Sequence, residues 1–507
     1  VTYRPAQLPI IARAQCNKGR VAAIDIRRTC TYNELLDASM RVARALLAGR
    51  ADLHEERVAF LLPPGIPWIA TLWGIWQAGG IAVPLALSSA RPELEYYMGD
   101  AGAAAIIFDA ATEAMAEPIA SAQNIATLTY EEIQNGALIE LPDVAIERRA
   151  MILYTSGTTN RPKGVVATHA NIAAQISTLV EAWEWQADDR TLLCLPLHHV
   201  HGIINVVSCA LWSGATCEMM TRFDANVVWK RIASGVLTVF MAVPTIYLRL
   251  ISAWEAAPAL RQLELSHAAA KLRLMVSGSA ALPVSTLERW KEISGHILLE
   301  RYGMTEIGMA LSNPLHGKRV PGSVGIPLPG VQVRLCGQDG EPVAEGIPGE
   351  IEVRGPSVFS EYWGKPEATR EAFREGWFRT GDTAVAENCV YRILGRTSID
   401  ILKTGGHKVS ALEIEEVLLQ HPGIAECAVV GVADEEWGQR VAAAVVLRAG
   451  AALSLDSLRA WARELLAGHE LPSRLLVLEA LPRNAMGKVM KPAVTNLFSE
   501  TTTQMRS

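Results

Sequence analysis

A chain of 507 residues with 47 basic and 53 acidic side chains carries a formal charge of −6, which excludes a general nucleic-acid or membrane-surface binder held by positive charge. Half of the residues are apolar and 20% are charged, a balance that excludes disorder and supplies ample material for buried cores. At roughly 100 to 200 residues per domain, the length corresponds to about three or four units.

The first twenty residues interleave Arg4, Pro5, Arg13, Lys18 and Arg20, so they lack the apolar core of a signal peptide and secretion is not expected. The eight cysteines are scattered with no CxxC pair. That pattern points to a reducing compartment, the cytoplasm or, after removal of a transit peptide, an organelle matrix, and to neither a disulfide framework nor a zinc ribbon.

Residues 58–90 carry no charge and exceed the ~20 residues that span a bilayer. Pro63, Pro64, Gly65, Pro67, Gly74, Gly79, Gly80 and Pro84 divide this stretch into a strand at 58–62, a helix at 67–77 and a strand at 81–85. The punctuation predicts a buried β-α-β unit rather than a membrane span. Apolar runs at 104–108, 152–155, 191–195, 238–242, 272–277 and 297–299 alternate with amphipathic helical stretches and predict α/β layers. Near Pro321 the texture changes to Gly- and Pro-punctuated strands at 331–335, 349–354 and 377–379, which predicts a small β-rich subdomain.

A boundary is expected near Arg396, separating residues 1–396 from 397–507. Beyond it, Ser410-Ala-Leu-Glu413 has the pattern of a capping box opening a helix that Pro422 and Gly423 close. Leu458, Trp461, Ala462, Leu465 and Leu466 follow helical spacing before Gly468 and Pro472, and 425–432 and 441–447 read as strands. The expected architecture is a large N-terminal domain of layered α/β subdomains with a β-rich subdomain, followed by a small α+β domain.

After the strand ending at Tyr154 comes Thr155-Ser-Gly-Thr-Thr-Asn-Arg-Pro-Lys-Gly164. It offers hydroxyls at Thr155, Ser156, Thr158 and Thr159, backbone N–H groups around Gly157 and Gly164, and a cation at Lys163. Such groups hold polyphosphates. It is not a Walker A loop, because Pro162 takes the place of the second glycine and Gly164 follows the lysine. Alone, a Ser/Thr/Gly cluster is more often a polar turn.

This loop is followed in order by Tyr302-Gly-Met-Thr-Glu306, Gly376-Trp-Phe-Arg-Thr-Gly-Asp382, Gly395-Arg396 and Pro482-Arg-Asn-Ala-Met-Gly-Lys488. The five motifs together resemble the adenylate-forming superfamily of acyl-CoA synthetases, luciferases and adenylation domains, over nearly the whole chain. The resemblance implies activation of a carboxylate by ATP with Mg²⁺, giving an acyl-adenylate and pyrophosphate, then transfer of the acyl group to coenzyme A. A carboxylate is a poor electrophile, and an AMP leaving group makes attack at its carbonyl feasible once two anions have been aligned and neutralised.

By motif position, the resemblance implies that Thr155 to Lys163 hold the β- and γ-phosphates and that Thr305 contacts the α-phosphate. Glu306 would hold Mg²⁺. Tyr302 would stack on adenine, and Asp382, with Arg396, would take the ribose hydroxyls. Lys488 would bridge the attacking carboxylate and the α-phosphate. The C-terminal domain would be mobile about Ser398, where the family more often has Asp or Lys, with Gly405 and Gly406 lining the pantetheine tunnel. Asn160 also departs from the glycine of many relatives, although asparagine tolerates left-handed backbone.

Two features bear on the acid. His198, His199 and His201 sit together in Leu195-Pro-Leu-His-His-Val-His-Gly202, but no Cys, Asp or Glu spacing completes a tetrahedral zinc set. His199 matches the family's gate beside the acyl site. Arg301 adjoins the Tyr302 motif, and an arginine in an acyl pocket needs an anionic partner. A second carboxylate on the substrate supplies one through a forked ion pair. With Val276 to Pro283 (VSGSAALP), these motifs look like the malonyl-CoA and methylmalonyl-CoA synthetase branch, which implies that Arg301, Ser279 and His201 hold the distal carboxylate. Ser279 also falls at the nucleotide site.

The competing readings are an Arg301 paired with Glu300 or another protein acid beside a monocarboxylate, an adenylation enzyme loading a carrier protein, and an inactive nucleotide-binding homologue. The chain ends soon after Lys488, which leads to the expectation of a stand-alone CoA ligase. Lys488, Glu306, Thr305 and Asp382 are all present and favour an active enzyme. The expected partners are small molecules, with neither nucleic acid nor membrane, and the expected state is a monomer or homodimer.

Overall fold

The uncharged stretch folds as strand Arg57–Leu61, helix Ile66–Gln77 and strand Ile81–Pro84, with the two strands parallel. The helix buries Trp68, Trp73 and Trp76 completely. It packs on helix Tyr32–Leu47 at Gly74, where a Cβ would lie 2.5 Å from the Cβ of Val42, so only glycine lets the two helices meet this closely. No described helix is long and apolar enough to cross a membrane. The computed structural model describes residues 8–133, 140–155, 161–434, 436–483 and 489–504.

Among the described residues there are four sheets. One has seven strands in the order Glu361–Tyr362, Lys163–Thr168, Arg149–Thr155, Ile81–Pro84, Arg57–Leu61, Ala105–Phe108, Ala126–Thr129. The central strands are parallel and buried on both faces, which explains their continuous apolar sequence. A nine-stranded sheet places Val239–Ala242, Leu274–Ser277 and Leu299–Met304 side by side and parallel, with Gly308–Ser312 returning antiparallel. The β-rich unit pairs Gln332–Cys336, Gly349–Arg354, Trp377–Glu387 and Val390–Arg396.

After Arg396, a turn through Thr397–Asp400 leads to a separate sheet. It contains hairpin Ile401–Thr404/His407–Ser410, the long pair Ile424–Asp434/Gly438–Leu447, and a parallel strand Arg474–Val477. One of its faces is covered by Ile414, Leu418 and Leu458, the other by Val494 and Phe498.

Four expectations change in detail. The strand expected at 297–299 runs instead over Leu299–Met304, carrying the polar Glu-Arg-Tyr-Gly run that does not read as apolar. The strand expected at 377–379 continues to Glu387 because Gly381 takes φ +73° and turns the chain without ending the ladder. The helix expected through Leu458 to Leu466 is Leu455–Ala462 and stops before Leu465 and Leu466, whose amides both donate to the Ala462 carbonyl at 3.0 and 2.8 Å. At Ser410 half of the capping box forms: its hydroxyl accepts from the Glu413 N–H at 3.2 Å, while the Glu413 carboxylate binds Arg392.

Candidate active site

Three strand ends converge on the site. Thr155 closes strand Arg149–Thr155 and pairs with Lys163, which opens the antiparallel strand Lys163–Thr168. The two strands run antiparallel; Ser156, Gly157, Thr158, Thr159 and Asn160 lie outside the described residues. A second hairpin joins Leu299–Met304 to Gly308–Ser312, and its turn presents Thr305 and Glu306. A third pairs Asp382 with Arg396.

The Tyr302 hydroxyl donates to Asp382 Oδ2 at 2.5 Å, and Arg396 Nε lies 3.0 Å from Asp382 Oδ1. Burial, with the Asp382 charge beside it, pushes the Tyr302 phenol well above its usual range, so it stays a donor. Arg396 is held in turn by the Thr380 carbonyl at 3.0 Å.

Glu306 is 5% exposed. Burial raises its pKa, and it makes no ion pair with a described residue. Its Oε1 accepts the Tyr362 hydroxyl at 3.0 Å. A buried carboxylate with no ion-pair partner among the described residues fits a magnesium ion. Lys163 Nζ stands 4.9 Å from the centre of the Tyr362 ring. Thr305 borders a small apolar cavity lined by Met151, Val200 and Ile204.

Around Arg301, residues far apart in sequence meet. His201 opens a fully buried π-helical segment, His201–Ser208, a rare geometry that marks functional positions. Its Nδ1 lies 3.1 Å from the Ser279 hydroxyl, which also accepts from Arg301 Nη2 at 3.3 Å. Ser279 holds a left-handed backbone, φ +70°, a strained state for serine that is typical of binding loops. Arg301 is 3% exposed and its Nε has no hydrogen-bond partner. Burial lowers its pKa to about 9, so the guanidinium stays charged at neutral pH. Burial and the Arg301 charge hold His201 neutral, and burial lowers His199 to about 3. The His198 and His199 rings are 4.0 Å apart.

The proposed internal partner of Arg301 is not used. Glu300 precedes it on the same strand, and successive residues face opposite sides. The Glu300 carboxyl, raised to about 8 by burial, is instead approached by the Gly322 backbone. Among the described residues no carboxylate reaches Arg301.

Ser398 lies exposed in the Thr397–Asp400 turn. Gly405 and Gly406 form the two-residue turn of hairpin Ile401–Thr404/His407–Ser410, with φ +54° and +83°. The space at Gly406 is open, while a Cβ at Gly405 would stand 2.8 Å from the Trp437 ring. Lys488 lies outside the described residues. Sequence reasoning did not single out Tyr362, Trp437 or Gly278; the last is packed under Arg301. It also passed over Asn205, completely buried with neither side-chain polar atom partnered.

Residues 11–363 match the AMP-binding enzyme family, and residues 413–488 match the AMP-binding enzyme C-terminal domain. This chain belongs to the AMP-binding enzyme family. As such it is 46% identical over 521 residues to the mitochondrial malonate–CoA ligase of Bos taurus, covering 95% of this chain and 89% of that protein. The Homo sapiens counterpart is 45% identical over 529 residues, covering 97% and 92%. The crystal structure of ATP-bound MatB from Rhodopseudomonas palustris superposes with a TM-score of 0.90 at 33% identity, covering 97% of this chain and 99% of that one. The apo form of MatB gives 0.80 over the same coverage. The arrangement of this AMP-binding enzyme is therefore nearer the ATP-bound form.

Proposed function

We propose that this AMP-binding enzyme is an AMP-forming malonate:CoA ligase, with methylmalonate as a second acid. The observation that carries the reading is Arg301: a buried, charged guanidinium with Ser279 and His201 around it and no carboxylate of the described chain to neutralise it. An unpaired buried charge is costly, and a substrate with a distal carboxylate removes that cost when it binds. A monocarboxylate leaves the group unpaired. The relatives named as malonate–CoA ligases support the same choice.

In the first half-reaction a malonate oxygen attacks the α-phosphorus of ATP, the bond to the β-phosphate oxygen breaks and pyrophosphate leaves. Thr155, Ser156, Gly157, Thr158, Thr159 and Lys163 would hold the β- and γ-phosphates, and Thr305 the α-phosphate. Tyr302, Asp382 and Arg396 would hold the nucleoside. Glu306 would hold Mg²⁺, which when bound supplies charge neutralisation on the phosphates. Lys488 would bridge the two reacting anions. His199 would stand as a gate beside the acyl group.

In the second half-reaction the coenzyme A thiolate attacks the acyl carbonyl and AMP leaves. Residues 397–507 would act as a mobile domain that turns about Ser398, bringing Gly405 and Gly406 to the pantetheine arm. A reducing compartment, cytoplasm or organelle matrix, is the proposed setting, and a monomer or homodimer the proposed state.

The test is pyrophosphate release with ATP and malonate alone, followed by malonyl-CoA formation when CoA is added. The reading predicts both. Pyrophosphate without acyl-CoA would favour loading of a carrier protein, and release with monocarboxylates but not malonate would overturn the acid assignment.

A further inference from the structure

Residues 357–363 strap the two halves of the ATP site together. The Ser357 hydroxyl donates to the Ile307 carbonyl at 2.9 Å, and the Phe359 N–H donates to the Glu306 carbonyl at 2.7 Å. Ser360 and Trp363 N–H groups then donate to Val166 and Gly164 carbonyls at 3.0 and 2.8 Å. The strap thus binds the Thr305–Glu306 turn on one side and the strand opened by Lys163 on the other.

Tyr362 sits at the centre of the strap, 8% exposed, its ring held edge-on by Phe359 at 4.8 Å. Its hydroxyl donates to Glu306 Oε1 at 3.0 Å, and its ring lies 4.9 Å from Lys163 Nζ. Lys163 and Glu306 carry opposite charges and flank one aromatic ring, yet no ion pair joins them among the described residues. A hydrogen bond to a carboxylate fixes its orientation, as second-sphere donors do for metal ligands. The ring face attracts the ammonium without neutralising it as a carboxylate would.

We propose that Tyr362 is a positioning residue that keeps Glu306 and Lys163 from pairing with each other, so that the carboxylate stays available to Mg²⁺ and the ammonium to the polyphosphate. The inference rests on the assignment of Glu306 to the metal and Lys163 to phosphate.

The test titrates free Mg²⁺ against ATP binding, read by intrinsic tryptophan fluorescence, in the full chain and in Tyr362→Phe, Tyr362→Leu, Glu306→Gln and the double variant Glu306→Gln/Tyr362→Phe. Tyr362→Phe keeps the ring and loses the hydroxyl. Its half-saturating Mg²⁺ should rise ~10-fold or more, while ATP binding in EDTA is unchanged. Tyr362→Leu should weaken binding in EDTA as well. In the Glu306→Gln background, Tyr362→Phe should add nothing to the Mg²⁺ requirement. A lowered melting temperature with an unchanged Mg²⁺ requirement in Tyr362→Phe marks a purely structural hydroxyl and overturns the proposal, as does an additive effect in the double variant. An unchanged Mg²⁺ requirement in Glu306→Gln overturns instead the metal assignment beneath it.

Discussion

Arg301 lies against Gly278 so closely that a Cβ on the glycine would stand 2.6 Å from both the guanidinium carbon and Nε. Glycine is thus the residue that lets the guanidinium take this buried position. Gly278→Ala should displace Arg301, raising KM for malonate ~10-fold or more while leaving KM for ATP within about twofold, because the nucleotide groups lie at the other end of the site. Steady-state kinetics with each substrate varied check this. A malonate KM equal to that of the parent enzyme would mean that Arg301 does not depend on the gap.

The buried histidines set the acid limit of stability. His169, lowered to about 3 by burial, His198, lowered to about 4, and His199, lowered to about 3, resist protonation in the fold, while an unfolded histidine titrates near 6.5. The unfolded chain therefore binds more protons below pH 6.5, so stability is full above that pH and falls as the solution is acidified toward the folded values. Glu300, raised to about 8 by burial, acts with the opposite sign: its contribution is present below pH 4.5 and lost as pH rises through 8. Urea midpoints should fall between pH 6.5 and pH 5, and His169→Gln should flatten the slope by about one proton, or roughly 1.4 kcal/mol per pH unit. An unchanged slope in that variant would contradict the account.

Lys491 Nζ lies 2.6 Å from Asp400 Oδ1 and 2.8 Å from Glu415 Oε1, with the lysine side chain 11% exposed. The triad ties the helix Lys491–Gln504 to the turn after Arg396 and to helix Ala411–Leu418. Lys491→Met leaves two carboxylates facing each other and should cost about 3–5 kcal/mol of unfolding free energy. Glu415→Gln, which keeps the Asp400 pair, should cost less. Chemical denaturation decides, and a loss under about 1 kcal/mol for Lys491→Met would show that water compensates the acids.

Lys488→Ala should abolish malonate-dependent pyrophosphate release while sparing transfer from supplied malonyl-adenylate to CoA, since only the first half-reaction uses the bridge between the attacking carboxylate and the α-phosphate. Separate assays of the halves check this. Equal loss in both would remove the bridging role.

Much of the fold was legible because punctuation is local. Gly65, Pro67, Gly79, Gly80 and Pro84 cut an uncharged run into a β-α-β unit without knowledge of its neighbours. The strand Leu299–Met304 was under-read because its Glu-Arg-Tyr-Gly run takes its place from pairing with Gly308–Ser312 rather than from apolar periodicity. At the site, Arg301, Ser279 and His201 were named through motif resemblance; nothing in their spacing brings them together, and the crossing of distant strands does. Tyr362 and Trp437 were missed because they matter through tertiary contacts, Tyr362 with Glu306 and Lys163 and Trp437 with Gly405.

The measurement that bears most directly on the central claim is the kcat/KM of Arg301→Leu with malonate and with a short monocarboxylate. Leucine leaves the distal carboxylate facing an apolar wall. The account predicts a ~10²-fold or greater loss with malonate, no loss with the monocarboxylate, and nearly unchanged ATP binding. Malonate turnover equal to that of the parent enzyme would contradict it.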